Sequence, residues 1–161
     1  MQEFQKLVQD SLKHAGYYMH HPTDFNIAHS NTHIFTVMKD SDYICGCPDT
    51  GKIFWIEAKD TKGKKFYHSS GKNARQFARA LMIDEVFHTY FYVVNFNELN
   101  LVAYFNPTLV KDSNHFDPSE YDGLRITRTT QVTESVLGQR ATRNLLDMSF
   151  LTDLLAEGVM S

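Results

Sequence analysis

Cysteine is almost missing from this sequence: 161 residues contain two, Cys45 and Cys47. Two thiols cannot build a disulfide framework, and their C-x-C spacing is not the C-x-x-C of a redox pair or a zinc site. Reduced thiols are the expectation. Long apolar runs are also lacking, since no stretch approaches the ~18 uninterrupted apolar residues of a membrane span. The opening MQEFQKLVQDSLKH has neither the basic start nor the apolar run of a signal peptide. There are no repeats, low-complexity tracts or linker-like stretches. These absences lead to the expectation of a soluble, cytoplasmic chain with no membrane partner, residues 1–161 forming one domain. The material for a core is present, with 42% hydrophobic and 13% aromatic residues beside an ordinary 22% charged.

The net charge of −3 argues mildly against a nucleic-acid ligand. Its distribution argues the other way. Between Glu57 and Arg79 seven basic residues (Lys59, Lys62, Lys64, Lys65, Lys72, Arg75, Arg79) face two acids, Glu57 and Asp60. A local basic patch is what phosphate binding needs. Arg125, Arg128, Arg140 and Arg143 form a second, weaker set.

Apolar spacing predicts an amphipathic helix over 2–14, ended by Gly16, then an irregular polar stretch to residue 30. Strands are expected over 32–38, 42–47 and 53–58, the last two joined by the turn Pro48-Asp49-Thr50-Gly51, as an antiparallel meander. A helix over about 74–87 follows. A hairpin is expected from 90–96 and 101–105, then a strand within 124–130 and a short helix over 149–156. The fold class is α/β: a mixed central sheet of four or five strands flanked by helices, the first helix packed on one face.

Asp42, Glu57 and Lys59 carry the chemical argument. Glu57 and Lys59 lie two apart on a predicted strand and so project from one face, while Phe54, Ile56 and Ala58 point into the core. The expectation places them at the strand's exposed end. Asp42 opens the preceding strand, so the hairpin brings its carboxylate beside that of Glu57. Mg²⁺ takes hard oxygen ligands, typically one or two carboxylates, and keeps several waters. An adjacent lysine can orient water or neutralise a transition state. E-x-K on a solvated strand can equally be a plain ion pair, worth ~0–1 kcal/mol. The aspartate, the apolar strand and the basic loop favour chemistry.

The run SDYICGCPDTGKIFWIEAKDTKGKKF resembles the core of the PD-(D/E)XK nuclease superfamily, and within it the RecU-type Holliday junction resolvases. The resemblance rests on Ser41-Asp42-Tyr43 with Gly46, on Trp55-Ile56-Glu57-Ala58-Lys59-Asp60-Thr61, and on Phe66 and Gln76. It covers about residues 41–96. It implies a restriction-endonuclease-like core and Mg²⁺, for which Mn²⁺ can substitute. Asp42 and Glu57 would be metal ligands, Lys59 the transition-state cation and Gln76 support for the site. Gln76 has a second reading, the far end of a capping box begun by Asn73. A glutamate on the first helix often faces the site in this superfamily, and Glu3 is the candidate here. Asp40 stands where family members often carry a hydroxyl residue, either as a further metal ligand or as a turn acid. Arg75 stands where a histidine is usual. Lys62, Lys64, Lys65, Lys72 and Arg75 are the expected DNA contacts. The segment between the first helix and Asp42 is short beside the longer arm and stalk of a bacterial RecU, which bears on how a junction would be engaged, and the small size suggests a phage or mobile-element version, which would act in the host cytoplasm. The expected substrate is four-way DNA, and paired nicks in a pseudo-two-fold junction suit a homodimer. A nicking or restriction-type nuclease, or a non-catalytic DNA-binding or inhibitor protein on the same scaffold, are the rival readings. His20, His21, His29 and His33 read as scattered polar histidines rather than a zinc site.

Overall fold

The structure is a computed structural model. It describes residues 2–22, 25–30, 33–37 and 39–157, with the backbone alone for 25–30, 33–37 and 136. Helix α1 (Glu3–His14) turns its stripe of Phe4, Val8, Ser11 and Leu12 inward. It stops where Gly16, at φ 91°, lets the Tyr17 N–H return to the Leu12 carbonyl (3.2 Å). Strand β1 (Tyr18–His20) follows, then a separate two-stranded ribbon of β2 (Phe25–Ser30) and β3 (His33–Val37).

The hairpin β4 (Tyr43–Gly46) and β5 (Ile53–Thr61) forms as its turn signal predicts. Helix α2 (Lys72–Phe87) carries the chain over the sheet to β6 (Tyr90–Phe96), which lies parallel to β5. Parallel neighbours need such a crossover. β7 (Leu101–Phe105) returns as the expected hairpin, and β8 (Arg125–Ile126) closes the edge. The sheet has six strands in the order β1-β4-β5-β6-β7-β8. β1, three residues long, was not among the expected strands, whereas β8, two residues long, lies within the expected 124–130. The expected meander holds only for β4–β5: β3 pairs with β2, and β1 takes the place beside β4. A second ribbon, β9 (Thr130–Val136) with β10 (Gln139–Leu145), precedes α3 (Phe150–Ala156).

Both faces of the sheet are covered. Phe54, Ile56, Ala58, Phe91 and Val93 pack against α1 and α3 on one side. Tyr90, Tyr92, Val94 and Phe96 pack on the other with Phe77 and Ala80 of α2 and with Phe66, Phe105 and Phe116. Asp84, fully buried in α2, accepts from Tyr90 N–H (3.3 Å), Thr108 N–H (3.1 Å) and Thr108 Oγ1 (2.7 Å), fastening the crossover helix. Cys45 and Cys47 are buried and free, and burial pushes the Cys45 thiol up to about 12. Among the described residues, no helix is long and apolar enough to cross a membrane.

Candidate active site

At the mouth of the β4–β5 hairpin, side chains take over the backbone ladder. The Asp42 N–H donates to Glu57 Oε1 (2.9 Å), and the Ala58 N–H donates to Asp42 Oδ2 (2.8 Å). The two carboxylates are thereby interlocked, each only 2% exposed. Gln76 of α2 donates from Nε2 to Glu57 Oε2 (2.8 Å), and Lys59 Nζ lies 3.4 Å from the same oxygen. Lys59 also donates to Asn73 Oδ1 (3.3 Å). From α1, Gln5 Nε2 donates to Asp42 Oδ1 (3.0 Å), and Lys39 Nζ lies 3.1 Å from that atom. An open pocket of about 440 Å³ leads to this group, lined by Gln2, Gln5, Glu57, Lys59, Tyr67 and Asn73 among others.

Burial and the neighbouring Asp42 carboxylate push Glu57 up to about 7, against the pull of Lys59 and Gln76. Two neighbouring buried carboxylates ask for positive charge. Lys39 and Lys59 supply it from opposite sides. A divalent cation fits the same demand. Mg²⁺ accepts one or two carboxylates and completes its shell with water, so a cation here would rest on this pair alone, since the described residues hold no cluster of three or more His, Cys, Asp or Glu that could hold a metal ion.

The structure brings Asp42, Glu57, Lys59 and Gln76 together and leaves two other expected residues apart. Asp40 is half-exposed and bound by Arg79, whose Nε and Nη2 lie 2.7 and 2.6 Å from one carboxylate oxygen. Glu3 is exposed and lines a neighbouring groove with Asp10 and Arg143. At 3.6 residues per turn Glu3 lies roughly 200° around the helix from Gln5, so α1 presents an amide to the carboxylates instead of an acid. Gln76 is no capping residue: the helix begins at Lys72 after Gly71, and the amide crosses to Glu57. Glu57 is not at an exposed strand end, because α2 covers its face.

Lys62, Lys64 and Lys65 are exposed on the β5–α2 loop, and Lys72 and Arg75 on the first turn of α2. Two buried side chains hold that loop in place. Phe66 exchanges backbone bonds with Phe116 (2.9 and 2.8 Å), and His68 stacks on Phe77 at 3.7 Å. Arg143 is committed to Asp10 and Glu134, at 2.6 Å each, instead of standing open to phosphate. Of the histidines considered, the side chains of His29 and His33 lie outside the described residues. Sequence reasoning missed Gln5, Lys39 and Asn73. Gln5 was legible from the helical wheel, and the other two carry no sequence signal beyond nearness to the motif.

A hairpin bearing paired carboxylates, a crossover helix and a parallel strand, with helices on both faces, make this a restriction-endonuclease-like nuclease fold. Among solved structures, the chain is similar to that of Hjc, a Holliday junction resolvase from the archaeal hyperthermophile Archaeoglobus fulgidus. The TM-score is 0.51 at 16% identity, over 73% of this chain and 88% of that one, which is a likeness of fold. No protein-family model matches the sequence, and no curated protein matches it.

Proposed function

We propose that the chain is a Mg²⁺-dependent DNA endonuclease acting on four-way junctions, akin to the RecU-type resolvases its motif resembles. The carrying observation is the buried Asp42–Glu57 pair with Lys59 beside it on a nuclease fold. A structural ion pair would not need a second buried carboxylate beside the first. Asp42 and Glu57 would hold the cation, which when bound polarises the phosphate and acidifies a water. Gln76 and Gln5 keep the two carboxylates oriented. Lys59, reaching the pocket from the same strand face, offers its charge to the phosphoryl oxygens as negative charge builds up. The exposed lysines of the β5–α2 loop, with Lys72 and Arg75, flank the pocket and suit the DNA backbone on either side.

A homodimer suits two symmetric nicks, and α2 offers a surface for it. Ala78, Met82 and Val86 form an exposed strip, with Met82 and Val86 each 69% exposed. Two such helices packed antiparallel about Met82 would set Arg79 of one against Glu85 of the other. The pattern is self-complementary, as an isologous contact requires.

Labelled four-way junction, linear duplex and single strand, each incubated with Mg²⁺, Mn²⁺ or EDTA, test the proposal. Metal-dependent paired nicks confined to the junction are expected. Binding without cleavage under every metal would instead describe a DNA-binding protein on a nuclease scaffold.

A further inference from the structure

The β9–β10 ribbon contributes little to the core beyond its root. Residues 137–142 are all exposed, and Leu145 and the Arg143–Asp10 pair fasten the base to the body of the protein. Val136 pairs with Gln139, so the turn has two residues, Leu137 and Gly138, at φ 52° and 80°. Two-residue turns of this hand take Asn or Asp followed by Gly, because a side chain at positive φ is strained unless it is short and polar. Here the first place holds a leucine, and that leucine is 99% exposed. An apolar side chain thus sits on a strained backbone with no contact to its own fold. Departures of this kind, uncompensated within the molecule, cluster at working sites.

We propose that Leu137 is a wedge that enters the base stack of DNA where the stack is already open, at the branch point of a junction; the proposal rests on the junction-nuclease reading above. Reach permits it. Seven-residue strands at about 3.3 Å per residue make an arm of roughly 20 Å, and a two-stranded ribbon fits a DNA groove. Charge favours it. The ribbon's single acid, Glu134, is tied to Arg143, while Arg140 stands exposed near the turn without an ion pair among the described residues. The tip is therefore apolar and positive, suited to a base step and the phosphate beside it. Position favours it as well. A groove of about 470 Å³ runs past Asp60, Arg128, Arg143 and Asn144 to the root of the ribbon. Asp60 also lines the pocket holding Lys59, so a strand passing the carboxylates continues toward the arm. Apolar side chains inserted between base steps unstack them, most cheaply where stacking is already interrupted.

The test compares wild type with Leu137→Asn, which suits the turn, and Leu137→Met, which keeps an apolar tip. The substrate is a four-way junction carrying 2-aminopurine at the branch point, in EDTA. Wild type and Leu137→Met should raise the fluorescence severalfold, and Leu137→Asn should lose most of that rise. Junction affinity of Leu137→Asn should fall roughly ten-fold, the low end of what burying a leucine contributes. Its affinity for linear duplex should stay within about two-fold, and its Tm should equal or exceed that of wild type. A Leu137→Asn protein with the wild-type fluorescence rise overturns the wedge. So does a wild type that gives no rise, or a change in oligomeric state with the fluorescence unchanged, which would mark a protein contact. Mg²⁺-dependent cleavage of the same junction is read in parallel. Cleavage with an unchanged Leu137→Asn signal sinks the wedge alone, whereas a lost signal without wild-type cleavage sinks the nuclease reading alone.

Discussion

Replacing Glu57 by Gln should abolish metal-dependent cleavage and, in the absence of metal, make the protein more stable at pH 8. Glu57 is 2% exposed and held up to about 7 by burial and by Asp42, against an ordinary 4.5. A raised carboxyl keeps its proton in the folded state at pH values where the unfolded chain has released it. Stability is therefore greatest below pH 4.5, falls as the pH rises toward 7, and is flat above. At 1.36 kcal/mol per pH unit the full loss is roughly 3 kcal/mol. Glutamine removes it. The amide can still accept from the Asp42 N–H, but Gln76 must turn over and Lys59 must lean on Asn73, returning about 1 kcal/mol. The net gain at pH 8 is about 2 kcal/mol, or ~4–8 °C in Tm for a chain of this size. At pH 4.5 it vanishes or changes sign. Urea unfolding in EDTA at pH 4.5, 6 and 8 measures this directly. Mg²⁺ should then raise the stability of wild type alone, through RT ln(1 + [Mg²⁺]/Kd). A Glu57→Gln protein equally destabilised at every pH would refute the account of Glu57 as a buried, strained carboxylate.

Lys59→Ala should slow single-turnover cleavage by about 10²–10³ while changing junction affinity far less, because it removes one electrostatic donor and leaves the carboxylates; equal losses would make Lys59 an ordinary phosphate contact. Changing Lys62, Lys64 and Lys65 together to Ala should reduce the slope of log K against log [salt] by roughly 0.9 per lost phosphate contact, and an unchanged slope moves the DNA surface elsewhere. Asp42→Ala should cost about 1–3 kcal/mol by orphaning the buried Ala58 N–H, whereas Asp42→Asn keeps an acceptor there and should fold with less loss, as thermal melts will show. Met82→Asp should convert a dimer to monomer by light scattering without lowering Tm, since Met82 is 69% exposed.

The centre of the site was legible because β5 announces itself. Phe54, Ile56 and Ala58 alternate with Glu57 and Lys59, and the turn after Cys47 fixes which strand Asp42 opens. The depth of Glu57 was also there to read. Trp55 shares its face, so the strand is apolar on both sides, the mark of a strand covered above and below. Glu3 was expected from the resemblance, which fixes a residue type on the first helix but not its angle around it. What escaped altogether has weak local signals. β1 is too short to show a period, and β9–β10 alternates polar with polar because it packs on little. Its turn reads Leu-Gly, where Asn-Gly would have marked a hairpin. The feature that hid the ribbon from sequence is thus the one that makes its tip unusual.

The carboxylates do two jobs at one place, and this bears on how such a site can be held ready. Where β4 begins, Asp42 and Glu57 close the hydrogen bonds of two backbone groups, the Ala58 and Asp42 N–H. Their orientation is therefore fixed by the sheet itself, with Gln5 and Gln76 clamping from helices on opposite faces. Such clamping keeps the two acids buried side by side, and burial first, then the Asp42 carboxylate, raises Glu57. On the reading proposed above, a divalent cation would displace the Lys39 and Lys59 contacts but would meet two ligands already juxtaposed, because the cost of bringing them together is met during folding and not during binding. The arrangement also explains why neither acid should be truncated to alanine in a functional test: the residue proposed to hold the cation also completes the strand pairing.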